Sequence, residues 1–393
     1  MFKDLGKVLR QNIREYGMYI ALFVIMGIFT IFTKGLFLSP RNLSNLLNQV
    51  GYIAVLAVGM TLVIVIRHID LSVGFLAGFL GAVAAILLAS YGWPVYVVVP
   101  AVLVLGILAG LLTATPVAKL GVPSFVASLA GWLIYRGLLG MVTAGTGTII
   151  VADKIFNAIG NGFIPDIPGL ESFLPGIHKI TLILGILAVV LFVRSALVSR
   201  RKKQAYHFEV LPMNIFILQQ VFISILILGV TWVLASYNGL SWTFVVVLIV
   251  AAIYSFITTQ TVLGRHIYAT GGNPEAAQLS GISVSRVTFI VFASMGMLSA
   301  LSGILFTSRL RSATPTAGTL FELDAIAAAY VGGVSAAGGV GSVIGSLIGA
   351  LVMMTLINGM NLMGVDAYVQ YVVRGLILVA AVIFDVTTRR SGK

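Results

Sequence analysis

The chain has 393 residues, of which 59% are hydrophobic and only 9% charged, and its mean hydropathy is +1.08. A soluble protein carries about a quarter charged residues, so this composition indicates a chain that lies in a lipid bilayer, largely as α-helices. The formal net charge of +12 could suggest a nucleic-acid partner. The basic residues cluster instead at the ends of apolar runs, as the positive-inside rule predicts, and no soluble basic domain exists to bind nucleic acid. The chain contains no cysteine, which excludes disulfides and thiolate metal sites.

Hydrophobic runs long enough to cross a bilayer recur along the chain. A helix needs about 20 apolar residues to span the hydrocarbon core. The runs predict spans at about 17–37, 46–66, 74–89, 95–115, 124–142, 180–193, 215–235, 242–262, 287–306, 343–357 and 371–384. A glycine-broken apolar segment at 324–341 would be one more, short crossing. The sequence therefore predicts an all-α integral membrane protein, a polytopic helical bundle of about 10–12 transmembrane segments with short broken helices.

The segments around the spans predict the side of the membrane on which each lies. A basic N-terminal arm, residues 1–15, precedes an uncleaved first span, and the transmembrane domain covers residues 16–386. We expect the long loop 143–178 outside the cell. The loop 194–213 contains four consecutive basic residues and is expected in the cytoplasm. With an even number of crossings, the polar loop 263–287, the tail 387–393 and both termini are cytoplasmic as well.

The polar segment 264–281, between two apolar runs, contains the signals of one short helix. Asn273 is suited to be its N-cap and Pro274 its first residue. Glu275 would face the positive end of the helix dipole, and Gly281 can adopt the left-handed conformation that ends a helix. Such a helix has about two turns, too few to be stable alone in water. We therefore expect it to dock on a partner.

An apolar run, a break and a helix rich in small residues follow one another at 56–78 and again at 325–346. Interrupted helices at matching places in two halves of a membrane protein indicate a transport pathway, although such helices can also serve close packing alone. On the pathway hypothesis, the residues in and beside the breaks line it. These are Asp70, Ser72, Gly74, Ser335, Asn358 and Asn361.

Few side chains in the spans offer chemistry. Asp70 is the only acid of the first five spans, and it either serves a functional site or caps the third span while neutralising Arg67. Arg136 and Arg374 lie at depths from which long side chains can reach the membrane interface. The four histidines show no metal-ligand spacing, and the sequence has no nucleophile–base pair and no phosphate-binding GxxxxGK[ST] loop. We predict a transport subunit rather than an enzyme, with no cofactor or metal of its own.

Several motifs carry a resemblance to a known family. They are LAVGM at 56–60, IDLSVG at 69–74, VPSF at 122–125, YRG at 135–137, GRHIYATGGN at 264–273, EAA at 275–277 with Gly281, ELDAIA at 322–327 and NGM at 358–360. On these motifs the chain resembles the permease subunits of bacterial binding-protein-dependent ABC importers for monosaccharides, the ribose, galactose and xylose group related to the branched-chain amino-acid permeases. Its two long loops are similar to those of the xylose and multiple-sugar subgroup. The resemblance covers residues 40 to 386, nearly the whole chain.

The resemblance implies a role for the short polar helix. It is similar to the coupling helix that sits in a cleft of a cytoplasmic ATPase subunit, which binds the ATP. Ala276 and Ala277 would present a low surface to that cleft. The implied coupling residues are Gly264, Arg265, Gly272, Asn273, Pro274, Glu275, Ala276, Ala277 and Gly281. The resemblance also implies a homodimer, or a close heterodimer, in the bacterial inner membrane and an extracytoplasmic sugar-binding protein.

The chain departs from the family pattern just before the IDLSVG motif. Many members have small residues before IDLSVG, where this chain has Arg67 and His68, so a flexible glycine hinge is not transferred to it. The function implied is ATP-driven import of xylose or a related pentose or hexose. An ion-coupled secondary sugar carrier is the first alternative and would need buried acids, for which Asp70 and Asp324 are the candidates. The second alternative is an ABC permease for branched-chain amino acids.

Overall fold

The computed structural model describes residues 13–145, 147–169, 174–208, 210 and 212–390. Residues 1–12 of the predicted N-terminal arm, Glu171 of the predicted outer loop and residues 391–393 of the tail lie outside these ranges. Within them the chain is mostly helical, with one pair of very short strands.

The helices follow one another with short connections. The first eight are α1 (Ile13–Phe32), α2 (Pro40–Val65), α3 (Val73–Ala89), α4 (Val95–Leu120), α5 (Ser124–Thr143), α6 (Lys154–Asn161), α7 (Lys179–Ala205) and α8 (Met213–Ala235). The others are α9 (Trp242–Gln260), α10 (Val262–Gly272), α11 (Pro274–Leu279), α12 (Val284–Leu310), α13 (Phe321–Val331), α14 (Val343–Leu362) and α15 (Ala367–Arg390). A 3-10 helix covers Leu36–Leu38, and the strands are β1 (Ile149–Ile150) and β2 (Ser312–Ala313).

Nine of the described helices are long and apolar enough to cross a membrane. They are α2, α4, α5, α7, α8, α9, α12, α14 and α15. The segment Gly17–Phe32 of α1 and the whole of α3 are apolar but shorter. The prediction of an all-helical, polytopic membrane protein is confirmed. Twelve crossings would require α1, α3 and α13 to cross as well.

Two segments that hydropathy assigns to loops are helical. The basic loop 194–213 is largely a continuation of α7 to Ala205, and the polar loop 263–287 contains α10, α11 and the start of α12. Lys, Arg and Gln are good helix formers, and basic side chains are favourable near a helix C-terminus. Hydropathy therefore locates the apolar part of these helices and not their ends.

The described chain divides into two compact units. The first contains Ile13, Leu38–Asn45 and Phe163–Ser241. Its main elements, α7 and α8, pack side by side, and Gly185 lies directly against Thr231 in this pair.

The second unit contains Arg14–Phe37, Leu46–Gly162 and the described chain from Trp242 onward. At its centre α12 packs along α3 and α4. The helices approach closely at glycines, and a Cβ placed on Gly106 would lie 2.4 Å from the carbonyl oxygen of Gly296. Small residues allow such contact in a bilayer, where apolar side chains gain nothing by leaving the lipid.

Part of the predicted outer loop is folded onto the end of α12. There β1 pairs with β2, and Asp153 is the N-cap of α6, where its Oδ1 accepts a hydrogen bond from the Phe156 N–H at 2.8 Å. The Ser308 hydroxyl of α12 accepts from the Gly160 N–H at 2.7 Å and donates to the Phe156 carbonyl at 2.6 Å. These contacts hold α6 against the bundle.

Candidate functional site

The short polar helix α11 has the caps that its sequence predicts. Asn273 Oδ1 accepts a hydrogen bond from the Ala276 N–H at 3.0 Å, and Pro274 is the first helical residue. At the other end Gly281 has a φ of +83°, and its N–H donates to the Gln278 carbonyl at 3.0 Å. A left-handed glycine is a common end of a helix because it has no Cβ to clash. The predicted helix, with its N-cap and its stop, is confirmed.

The surface that α11 presents differs from the prediction in one respect. Ala277 is only 4% exposed and faces its own chain, so the expectation that both alanines face outward is wrong for this one. Glu275 and Ala276 are exposed. Leu279 is 91% exposed, the largest value among the exposed large hydrophobic side chains. The outer surface of α11 therefore presents the carboxylate of Glu275, the small side chain of Ala276 and the exposed apolar side chain of Leu279.

The helix α10, which leads into α11, packs closely against the end of α9. The Thr261 hydroxyl accepts a hydrogen bond from the Gly264 N–H at 3.2 Å and caps α10. A Cβ on Gly264 would lie 2.4 Å from carbonyl oxygens in the last turn of α9, so this position requires glycine. Arg265 and Gly272, the other candidates on α10, are exposed. Gly264 thus positions α10 against α9, whereas Arg265 and Gly272 are accessible to a partner.

The break between α2 and α3 is a buried turn. Asp70 is 2% exposed, and its Oδ1 accepts hydrogen bonds from the Ser72 N–H at 2.9 Å and from the Ser72 hydroxyl at 2.6 Å. The aspartate therefore binds Ser72, the N-cap residue of α3, and does not itself cap the first turn of the helix, so the predicted capping role is wrong. Its predicted ion pair with Arg67 is not found, because Arg67 Nε instead donates to the Gly271 carbonyl at 2.6 Å.

Glu322 of α13 lies beside this turn, and it is absent from the candidates selected from the sequence. It is 5% exposed, and its Oε1 accepts a hydrogen bond from the Trp132 indole N–H at 3.1 Å. A Cβ on Gly74 would lie 2.0 Å from Glu322 Oε2 and 2.6 Å from the Gly318 carbonyl oxygen. The guanidinium of Arg136 lies 5.2 Å from the centre of the Trp132 ring. An acid within an apolar segment is the signal that could have identified Glu322.

Asp324, the second acid of α13, forms an ion pair with Arg374 of α15. The Arg374 Nη1 and Asp324 Oδ2 atoms are 3.2 Å apart, and the two side chains are 19% and 5% exposed. Arg374 therefore has a specific carboxylate partner that its sequence neighbourhood did not indicate. A cavity of about 260 Å³ adjoins the pair and is lined mainly by apolar side chains, including Leu320, Leu323 and Met353.

The other polar candidates contact different elements. Ser335 is 2% exposed and belongs to the loop before α14. Asn358 Nδ2 donates to Gln49 Oε1 at 3.2 Å, which links α14 to α2. Asn361 is exposed, and its Oδ1 accepts from Gln370 Nε2 at 2.8 Å. In the described chain these hydrogen bonds of Asn358 and Asn361 join α14 to α2 and to α15, and not to the turn at Asp70.

The chemistry of these groups is that of binding and positioning. Among the described residues, no group of three or more His, Cys, Asp or Glu side chains could hold a metal ion. The arrangement offers a capped helix on the surface and buried polar groups where helices break.

Comparisons with known proteins agree with one another. A family model described as "Branched-chain amino acid transport system / permease component" matches residues 42–382. The chain is 40% identical over 385 residues to the xylose transport system permease protein XylH of Haemophilus influenzae, with 98% of this chain and 99% of that protein covered. It is 41% identical over 379 residues to XylH of Escherichia coli K12, with 96% and 93% covered. It is 36% identical over 375 residues to the ribose import permease protein RbsC of Haemophilus influenzae, with 94% and 93% covered. No solved structure matches the chain.

Proposed function

Because the chain belongs to the family of branched-chain amino acid transport system permease components, we propose that it is the membrane permease of an ATP-driven importer. The proposed cargo, delivered by a binding protein, is xylose or a related pentose or hexose, because the relatives of 36–41% identity are named for xylose and ribose. Membership of the family makes the chain a multi-pass membrane protein and a transport subunit, which confirms the prediction that it is not an enzyme. As a permease component, it works with other components of a transport system.

The feature that best supports an ATP-driven mechanism is α11. A helix of six residues is unstable by itself, yet this one is capped at both ends and exposes most of its outer surface. The sequence has no phosphate-binding GxxxxGK[ST] loop, so the ATP would be bound by another chain. We propose that the ATPase subunit docks on α11 and on the end of α10. In this proposal Ala277 anchors the helix to its own chain, while Glu275, Ala276 and Leu279 contact the partner.

The proposed pathway passes the break between α2 and α3. Asp70, Ser72 and Gly74 lie there, and Glu322 adjoins them. Ser335, Asn358 and Asn361 are the further proposed lining residues. Since the native chain has no cysteine, single cysteines at these positions can be tested with small polar thiol reagents without a background signal. Labelling in at least one nucleotide state is expected at Ser72 and Ser335, and protection in every state would remove them from the pathway.

The remaining components are proposed from the family resemblance and from the distribution of charge. They are a second copy of this chain in the bacterial inner membrane, a cytoplasmic ATPase and an extracytoplasmic sugar-binding protein. The basic end of α7, at Arg200 to Lys203, favours the cytoplasm as the side of α10 and α11 and of both termini.

An ion-coupled sugar carrier is the second candidate, and the buried acids favour it. Asp70, Glu322 and Asp324 are each at most 5% exposed, as a proton-coupled carrier would require. Two of the three have structural partners, because Asp70 accepts hydrogen bonds from Ser72 and Asp324 pairs with Arg374. Glu322 Oε2 and Asp324 Oδ1 are buried carboxylate oxygens without a hydrogen-bond partner among the described residues.

Uptake of labelled xylose by cells distinguishes the two candidates. The importer predicts that uptake requires the ATPase gene product and is insensitive to a protonophore while ATP is maintained. Uptake that survives deletion of the ATPase and collapses with the protonophore would establish the carrier. Labelled leucine is the matched control, since uptake of leucine and not xylose would assign the chain to branched-chain amino acids.

A further inference from the structure

Helix α2 ends in an unusual way at Arg67. The residue is left-handed, with a φ of +66°, and its N–H donates to the Ile64 carbonyl at 2.8 Å. The next N–H, of His68, donates to the Val63 carbonyl at 3.0 Å. This is the Schellman pattern, in which glycine is the favoured residue at the left-handed position. An arginine is sterically disfavoured there, and its side chain makes contacts that glycine could not make.

The Arg67 side chain contacts the end of α10, the helix that leads into α11. Arg67 Nε donates to the Gly271 carbonyl at 2.6 Å, and its Nη2 donates to the Gly272 carbonyl. These are the last two residues of α10, where unpaired carbonyls and the helix dipole favour a cation. The planar guanidinium can bind both oxygens at once, which a lysine cannot do.

Three chain segments meet tightly around this contact. The Gly339 N–H donates to the Val65 carbonyl at 2.8 Å, and a Cβ on Gly338 would lie 2.4 Å from Arg67 Cγ. The Tyr268 hydroxyl of α10 donates to the Gly341 carbonyl at 2.7 Å. The end of α2, the end of α10 and the loop before α14 are therefore held together, and none of them can shift alone without breaking a hydrogen bond.

The contact between Arg67 and the end of α10 connects the residues next to α11 with the residues next to the proposed pathway. Gly272 is followed directly by Asn273, the N-cap of α11, and Arg67 is three residues ahead of Asp70 in the buried turn. We propose that Arg67 is a positioning residue that transmits displacement of the coupling helix to the break between α2 and α3. This inference rests on the proposed function and names the residue through which the ATPase acts on the pathway.

Arg67→Gly separates the transmitting role from a purely structural one. Glycine suits the left-handed backbone better than arginine does, and this gain offsets part of the stability that is lost with the two hydrogen bonds of the guanidinium. Lys34→Gly is the matched control, because Lys34 is also left-handed, with a φ of +52°, at the end of α1. Its N–H donates to the Ile31 carbonyl at 3.1 Å, which is the same local pattern, and its side chain is exposed.

The measurement is sugar transported per ATP hydrolysed by the full complex of permease, ATPase and binding protein in liposomes. For Arg67→Gly we expect assembly and basal ATP hydrolysis near the wild-type level, with sugar per ATP reduced about tenfold or more. Arg67→Lys should give an intermediate ratio, because one ammonium can bind one carbonyl. Lys34→Gly should leave the ratio unchanged.

Several outcomes would overturn the role of Arg67. A wild-type ratio in Arg67→Gly would do so, as would an equal loss in Lys34→Gly. If Arg67→Gly fails to assemble, its loss is structural and Arg67→Lys decides, since a wild-type ratio in that variant would contradict transmission through the paired hydrogen bonds. A wild-type complex that moves no sugar with ATP would instead contradict the proposed function, and the role of Arg67 with it.

Discussion

The indole N–H of Trp132 donates a hydrogen bond to Glu322 Oε1 at 3.1 Å, although 190 positions of sequence separate the two residues. The bond joins α5 to α13 beside Gly74, the first turn of α3. Acids inside membrane proteins are costly, and they usually belong to a functional site. The three helices that meet at Glu322 therefore form the polar part of the bundle most suited to line a pathway.

Removing the indole donor should weaken this junction. Trp132→Phe keeps an aromatic ring but removes the N–H that donates to Glu322. We expect the free energy of unfolding to fall by about 1–3 kcal/mol and sugar uptake to become slower. Thermal inactivation in detergent and initial uptake rates measure the two effects. Trp93→Phe, in an exposed turn, is the control. Unchanged stability and uptake in Trp132→Phe would show that this hydrogen bond contributes to neither the stability nor the transport activity of the protein.

A methyl group at Gly74 should disturb the same junction by overpacking. The new Cβ would lie 2.0 Å from Glu322 Oε2, and overpacking of this kind costs about 1–3 kcal/mol. We expect Gly74→Ala to be less heat-stable and less active in uptake. Gly137→Ala is the matched control in α5, since a Cβ there meets nothing within 4 Å. Equal behaviour of the two variants would contradict the close packing at Gly74.

The ion pair of Asp324 and Arg374 should be sensitive to loss of either partner. Breaking a buried pair leaves one charge without compensation, which costs about 3–5 kcal/mol. We expect Asp324→Asn and Arg374→Gln each to shorten the half-life at elevated temperature, which is the appropriate measure for a protein that unfolds irreversibly. The double variant Asp324→Leu with Arg374→Met should recover most of the loss. A double variant as unstable as the sum of the single ones would argue against pairing.

Leu279 should be an anchor for the ATPase. Its side chain is 91% exposed in the described chain, and burying a leucine in an interface contributes about 1.5–3 kcal/mol, or roughly tenfold or more in affinity. We expect Leu279→Asp to reduce co-purification of the ATPase while the permease stays folded. Leu120→Asp is the control, because Leu120 is a 75% exposed leucine at the end of α4. If both variants retain the ATPase equally, Leu279 does not contact it.

Local signals in the sequence predicted the short helix α11 well. The cap at Asn273, the proline at its first position and the stop at Gly281 act within a few residues, so they can be recognised without a fold. The same locality explains an error at Ala277. Which face of a short helix turns inward depends on the chain that it packs against, and the sequence of the helix does not contain that information.

Contacts between distant residues were the part that sequence could not supply. Asp324 and Arg374 are 50 positions apart, and each alone resembles a charge near the end of a span. Arg67 and Asp70 are close in sequence and opposite in charge, which suggested an ion pair, but the fold brings the carbonyls of Gly271 and Gly272 to the guanidinium. Periodicity and spacing predict elements, whereas the partner of a buried charge is decided by packing.

Sugar uptake by liposomes that contain the permease, the ATPase and the binding protein tests the ATP-driven mechanism most directly. An ATP-driven importer predicts uptake of labelled xylose or a related monosaccharide that requires ATP on the side of α11, survives a protonophore and is lost in Leu279→Asp. Uptake driven by an ion gradient without ATP would contradict it.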